Sequence, residues 1–362
     1  MPSDLIRGWA PVRLKKTHQD KKPELRFWFN QNRSSSVHRC ASPALMCVKM
    51  TTVPSDLDQY TDRPVCSYDC VQFADRHQLW GRMTMFKNLL VLIPSERPAR
   101  PVIDGAVLLT MAYGAHLDAL AVAYETANVP IAAAGGAAVA LIVEETRQRA
   151  LERAEAAMRV FEVQAKHAGI AYTCRTMSAT PGQAMAIASA SARLHDLTVV
   201  LQPEPGRDTF DNDVPQEILF QSGGPVLFMP YTFRGAFAAR RIGICWDGTR
   251  LAGRALRDAM PLLRYADALT IISLGNPAAI PEEASPQRLV EHLARLGLPA
   301  RVVAFPAAHS EIQPAILSVA ADESLDLLVM GGYGHSRLQE RLLGGVTREM
   351  LQSMTVPTLM SH

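Results

Sequence analysis

Lysine is scarce in this chain and unevenly placed. There are seven in 362 residues, five of them (Lys15, Lys16, Lys21, Lys22, Lys49) before residue 85, and none follows Lys166. The second half therefore has neither a P-loop lysine nor a Schiff-base lysine. The patterns G-x4-G-K-(S/T), H-E-x-x-H and G-x-S-x-G are also missing, which removes the common phosphoryl-transfer, zinc-protease and serine-hydrolase machinery. Long apolar runs are lacking too. The longest, Ile131 to Val143, is rich in Ala and Gly and runs into Glu144-Glu145, short of the roughly 20 residues that span a bilayer. Ala44 to Val48 is too short and too far in for a signal peptide. These absences predict a soluble cytoplasmic protein without a membrane partner. A net charge of +2, from 37 basic and 35 acidic residues, argues against a nucleic-acid partner.

Cysteine is sparse, with six in all. Cys174 and Cys245 lie in apolar, strand-like runs and are expected to be buried, reduced thiols. Cys40, Cys47, Cys66 and Cys70, with His38 and His77, have spacings C-x6-C and C-x3-C. Those miss the paired knuckles of zinc sites, and no metal is expected.

The chain is long enough for two or more domains, and its composition changes near residue 85. Residues 1–84 hold 13 Lys+Arg against 8 Asp+Glu, three of four tryptophans and four of six cysteines. They are expected to be an upstream extension of poor order, a misassigned start included. From Phe86 onward short apolar runs alternate with helical patterns, the signature of a parallel sheet covered by helices. Strands are expected at 86–93, 117–124, 170–177, 197–201 and 226–229, and helices at 102–113, 137–168, 181 onward and 215–221. The order then repeats, with strands at 241–246, 269–274, 300–305, 325–330 and 357–360. The matching helices are expected at 251–265, 286–296, 310 onward and 346–354. Thr180-Pro181 and Ser310-Glu311-Ile312-Gln313 read as helix starts.

The two copies superpose along the chain. Lys87 falls on Arg240, an offset of 153; Asp196 falls on Asp326, an offset of 130; Pro225 falls on Pro357, an offset of 132. The second copy is thus shorter after its second strand and in step thereafter, which predicts an internal duplication. The expected fold class is α/β, with two tandem doubly wound, Rossmann-like parallel sheets forming a pseudo-dimer. The expected domains are residues 85–232 and 238–362.

After the strand at 325–330 comes Gly331-Gly332-Tyr333-Gly334, and nine residues past Gly334 come Gly344-Gly345-Val346-Thr347. A glycine-rich link from the carboxyl end of a parallel strand to a helix start is where ligands bind in open α/β sheets. Gly331 and Gly334 permit positive φ and close backbone approach, while Gly344 and Gly345 uncover the first helical amides for an anion such as a phosphate. The other reading is of glycines that only make tight turns. Asp247, at the carboxyl end of a strand, suits either ribose hydroxyls or a turn in Trp246-Asp247-Gly248-Thr249. His335, Ser336 and Arg337 are expected to be solvated rather than bound to phosphate. The first copy has Leu201 for Gly331, Glu204 for Gly334 and Pro94 for Asp247, with Asp208, Asp211 and Asp213 nearby. Those carboxylates would repel phosphate, so the first copy is expected not to bind and its acidic run to be a solvated loop.

The stretch "LLVMGGYGHSRLQERLLGGVTREML", ending in "VPTLM", resembles the carboxyl-terminal signature of universal stress proteins, as "RIGICWDGTRLAGRALRDA" resembles that family's opening strand, Asp loop and helix. The resemblance covers both copies and implies a tandem member of the family, a stress-response protein binding ATP or AMP in its second domain. It places Asp247 beside the ribose and adenine, and Gly331, Gly334, Gly344, Gly345, Val346 and Thr347 around the phosphates. Gly345 departs from the pattern, since binders carry Ser or Thr there; the lost hydroxyl costs about 1 kcal/mol. Action by binding rather than catalysis is expected, with no catalytic residue assigned. The alternatives are a nucleotide-free interaction scaffold and a slow ATP hydrolase akin to the adenine-nucleotide α-hydrolases. The expected assembly is the pseudo-dimer within one chain, with pairing into a homodimer left open.

Overall fold

The computed structural model describes residues 86–125, 136–235, 237–276, 279–332 and 345–362, without the side chains of 136–139. The expectations for residues 1–84, for Cys40, Cys47, Cys66, Cys70, His38 and His77, and for Gly334, His335, Ser336, Arg337 and Gly344 lie outside the described residues.

Apolar runs without alternation call for strands covered on both faces, and the first half has five strands, all but the third, an edge strand, of that kind. They are β1 (Asn88–Ile93), β2 (His116–Tyr124), β3 (Ala171–Ala179), β4 (Leu197–Leu201) and β5 (Val226–Met229). Helices α1 (Arg100–Tyr113), α2 (Gly136–Ala168), α3 (Pro181–Ala192) and α4 (Val214–Gln221) connect them. The second half repeats the order with β6 (Arg241–Cys245), β7 (Ala268–Leu274), β8 (Ala300–Phe305), β9 (Leu327–Gly331) and β10 (Thr358–Ser361). Its helices are α5 (Arg250–Asp258), α6 (Met260–Leu263), α7 (Pro286–Arg295), α8 (His309–Asp322) and α9 (Val346–Ser353).

The strands form one ten-stranded sheet in the order β3-β2-β1-β4-β5-β10-β9-β6-β7-β8. Pairing within each half is parallel. The seam between β5 and β10 is antiparallel. The fold class is the expected α/β, but the two parallel sheets that were expected are joined at the seam into one mixed sheet. Leu89, Val91 and Ile93 point into a core shared with Val102, Ile103, Ala154 and Phe161, while Leu90 points into a second core with Ala184 and Ile218. Helices α1 and α2 cover one face, α3 and α4 the other, and the second half follows suit with Leu256, Leu262 and Leu289 against Ile316 and Met350.

The internal alignment has a visible cause. Asp196 Oδ2 accepts from the backbone N–H of Lys87 (2.7 Å) and Asn88 (2.9 Å). Asp326 accepts from the N–H of Arg240 and Arg241, both at 2.8 Å. One carboxylate before the fourth strand of each half holds the entry of its first strand. The drop in offset has a cause as well. Helix α2 has 33 residues and its counterpart α7 has 10, a difference of 23, equal to the fall from 153 to 130.

Four local expectations are corrected. The helix over 251–265 is broken at Ala259, where Pro261 enters the first turn of α6 and cannot continue the N–H ladder. Helix α8 starts at His309, not at Ser310: Glu311 Oε2 accepts the N–H of Ala308 at 3.0 Å, so only the Glu side of a capping box is made. Cys174 is exposed, because β3 is an edge strand with most of its residues open to solvent. Cys245 is half-buried rather than fully buried; desolvation, helped by the charge of Asp247, pushes its thiol up to about 12.

Candidate functional site

The carboxyl ends of β6 and β9 lie side by side and bring Gly331 against the start of α5, just after Asp247. At the end of β6, Trp246 Nε1 donates to Ala284 O (2.7 Å) and Gly248 turns the chain at φ 73°. A side chain at Gly248 would meet Ile280 Cγ2 at 2.8 Å, so glycine is required there. Asp247 is exposed, and its Oδ1 accepts from both Thr249 N (3.0 Å) and Thr249 Oγ1 (2.7 Å). Thr249 in turn caps α5 by accepting from Ala252 N at 3.3 Å. Asp247 therefore has the turn role through Oδ1, and among the described residues nothing donates to its Oδ2. The ribose role rests on that second oxygen alone.

Gly331, the last residue of β9, corrects an expectation. It does not have a positive φ. It is glycine because a Cβ there would lie 2.8 Å from Leu251 C and 2.9 Å from Ala252 N, the first turn of α5. The close approach is real, but its partner is the protein's own helix. This contact sets the end of β9 beside the loop that carries Asp247. Gly332 continues by donating its N–H to Ser361 O at 2.8 Å.

Gly345 is the N-cap of α9, with extended geometry (φ −111°, ψ 144°) and no side chain to cap the helix. The amides that open α9 therefore lack a side-chain acceptor from the cap, and they carry the positive end of the helix dipole. Val346 and Thr347 follow in the first turn; Thr347 is buried and Val346 half-buried. Chemically, this end of the sheet offers, among the described residues, backbone N–H groups and the exposed carboxylate of Asp247, and the second half has no lysine. It can hold an anion by main-chain donors and hydroxyls by a carboxylate.

The matching end of the first half is closed by its own side chains. Arg97 is buried, and its Nη1 donates to Gln202 O and Asn212 Oδ1, both at 2.8 Å. Glu204 Oε2 stands 3.5 Å from Arg97 Nε, and the Tyr231 ring lies 5.9 Å from its guanidinium carbon. Asp211 Oδ2 accepts from Glu96 N (2.7 Å), while Phe210 N donates to Glu96 Oε2 (2.9 Å). What remains between Leu92, Pro94, Tyr124 and Pro215 is a cavity of about 20 Å³, room for about one water. The expectation of a solvated acidic loop fails at Asp211, which is 7% exposed. Burial pushes its carboxyl up to about 6, against the hydrogen bonds it accepts from the Glu96 and Ser95 backbone. Arg97 escaped the sequence reading: one arginine in a Pro-Ser-Glu-Arg turn has no periodicity or motif to mark it.

Fold and site together define a doubly wound α/β protein with a glycine-bearing strand-to-helix link at the carboxyl end of β9. Residues 238–362 match the universal stress protein family, and a universal stress protein domain thus occupies the second half. Over 140 residues the chain is 29% identical to the universal stress protein Slr1230 of Synechocystis sp. (strain ATCC 27184 / PCC 6803 / Kazusa), covering 37% of this chain and 46% of that protein. The chain thus spans about half the length of this curated relative. The solved structure of a universal stress protein from Archaeoglobus fulgidus DSM 4304 shares the fold at a TM-score of 0.58 and 14% identity. That match covers 75% of this chain and 97% of the other. Among the described residues, no helix is long and apolar enough to cross a membrane.

Proposed function

We propose that the protein is a stress-response protein whose second half binds an adenine nucleotide, ATP or AMP, and that it acts through binding rather than catalysis. The observation that carries this reading is the start of α9, where the N-cap Gly345 has no side chain to accept from the opening amides, after β9, whose last residue, Gly331, abuts the first turn of α5 just beyond the loop of Asp247. Main-chain donors would take the phosphates, and Asp247 Oδ2 would take ribose hydroxyls while Oδ1 keeps the turn. Gly331 sets the height of the strand end against α5, and Gly334 and Gly344 complete the phosphate loop. The universal stress protein match over these same residues supports it.

The first half is the non-binding partner of the pseudo-dimer, since Arg97, Glu204 and Asp211 fill its crevice. The second reading, a scaffold of this fold without nucleotide, is favoured by Gly345 alone, where a phosphate-directed hydroxyl is lacking.

Calorimetric titration of the whole chain with ATP and with AMP separates the two. Saturable binding is expected, and Gly345→Ser should tighten it about fivefold by restoring one hydrogen bond worth about 1 kcal/mol. The backbone at 345 is extended, a conformation open to serine. No heat of binding in either protein, with both folded by circular dichroism, would establish the scaffold instead. Product formation from ATP over the same hours would establish the hydrolase.

A further inference from the structure

The carbonyl just past the fourth strand of each half is held by a side chain, and the two halves use different ones. In the first half, Gln202 N donates to Met229 O at 2.8 Å, and Gln202 O accepts from Arg97 Nη1 at 2.8 Å. Gly332 is the counterpart of Gln202 at an offset of 130. Its N–H donates to Ser361 O at 2.8 Å, and its O accepts from His362 Nδ1 at 2.9 Å. Ser361 falls on Met229 and His362 on Pro230, both at an offset of 132. The proline side chain has no donor, so the first half cannot hold the carbonyl from that position.

The two donors arrive from opposite sides. The fourth strand of each half lies between the first and the fifth, β4 between β1 and β5, and β9 between β6 and β10. Arg97 comes from the β1 side, where the strand order reverses and the crevice of such a sheet lies, and it is buried there. His362 comes from the β10 side. It holds the same carbonyl without covering the β6 side, where Asp247 is exposed. Arg250, which falls on Arg97 at an offset of 153, is exposed as well.

The first half fixes the place of the histidine. The half-buried His362 ring meets Phe220 of α4 edge to face, with centroids 4.9 Å apart and planes at 73°. Leu219, the residue before Phe220, packs on Gly332 itself, where a Cβ would fall 3.0 Å from Leu219 Cδ2. A carbonyl only accepts, so Nδ1 carries a proton in this contact. Holding the Gly332 oxygen also holds the planar peptide that it belongs to.

We infer that His362 is a positioning residue of the second half's site: resting on Phe220, it holds the Gly332 carbonyl and sets how the chain leaves β9, without entering the crevice. This rests on the nucleotide reading above. The half that binds nothing thereby supports the site of the half that binds.

Calorimetric titration of the full chain with ATP tests this, beside long-range 1H–15N spectra that show which imidazole nitrogen carries the proton in the neutral ring. His362→Ala should weaken ATP about three- to tenfold, the worth of one hydrogen bond. His362→Phe keeps a ring on Phe220 but no donor and should lose as much. His362→Asn, whose amide can donate in place of Nδ1, should stay within about twofold of wild type. Phe220→Ala, in the other half, should weaken ATP about threefold with native circular dichroism. The neutral His362 ring is expected to carry its proton on Nδ1. A wild type that binds neither ATP nor AMP removes the nucleotide reading and this inference with it. A wild type that binds, while His362→Ala or Phe220→Ala binds equally well, His362→Asn fails to rescue, or the proton sits on Nε2, overturns this inference alone.

Discussion

Leu227 and Leu359 face each other in antiparallel register where β5 meets β10, and each is the other's counterpart at an offset of 132. Their neighbours keep the relation, Val226 with Met360 and Phe228 with Thr358. A local twofold axis therefore passes through this pair. Contacts around it come in related pairs: Gln202 Nε2 donates to Leu351 O at 2.9 Å, while their counterparts Gly332 and Leu219 abut, a Cβ on Gly332 falling 3.0 Å from Leu219 Cδ2. The seam is an isologous interface folded into one chain.

Two adjacent glycines should respond differently to the same methyl group. At Gly331 the obstacle is the backbone of Leu251 and Ala252, which cannot move without shifting α5. Gly331→Ala should destabilise by about 1–3 kcal/mol in urea denaturation. At Gly332 the obstacle is the far end of the Leu219 side chain, and Gly332→Ala should cost less than about 1 kcal/mol.

Asp196 and Asp326 make the same clasp in different halves. Asp196→Ala and Asp326→Ala should each cost about 1–3 kcal/mol, from two backbone N–H groups losing a charged acceptor. The two losses should be similar, and the Asn variants, which keep one acceptor, should lose less. Loss at one position only, in the same denaturation assay, would show that the halves do not share this support.

Asp211 should tie stability to pH. Its folded pKa, about 6, lies above the ordinary 3.8, so proton uptake favours the fold. The contribution is complete below about pH 4 and is lost as pH rises through about 6. Its size is about 2–3 kcal/mol from a shift of about two units. Asp211→Asn is neutral throughout, so its stability relative to wild type should improve between pH 4 and pH 7. Parallel denaturation curves at both pH values would show that Asp211 does not titrate in this range.

Most of the fold was legible in the sequence because the inner strands are buried on both faces and even the edge strands keep short, well-bounded apolar or β-branched runs. Leu197–Leu201, Val226–Met229 and Ala300–Phe305 have the boundaries their apolar runs predict. Periodicity failed where long-range placement decides. Nothing local tells that Cys174 sits on an edge strand, or that Asp211 turns inward to meet the Glu96 backbone. At the site, Asp247, Gly331 and Gly345 were legible by type and position, but not all by role. Gly331 serves a helix contact instead of a positive φ, and Asp247 spends one oxygen on its own turn. Arg97 was invisible because its partners come from residues 202–212, more than a hundred positions away.

The pairing of Leu227 with Leu359 within one chain also changes what substitution can do. In a dimer of identical subunits every change appears twice, so a residue that blocks one crevice blocks both. Here each half can vary by itself: Arg97 fills one crevice with no arginine required in the other, and α2 lengthens while α7 stays short. Covalent linkage has released the two halves from likeness while their shared strand border still demands that they fit.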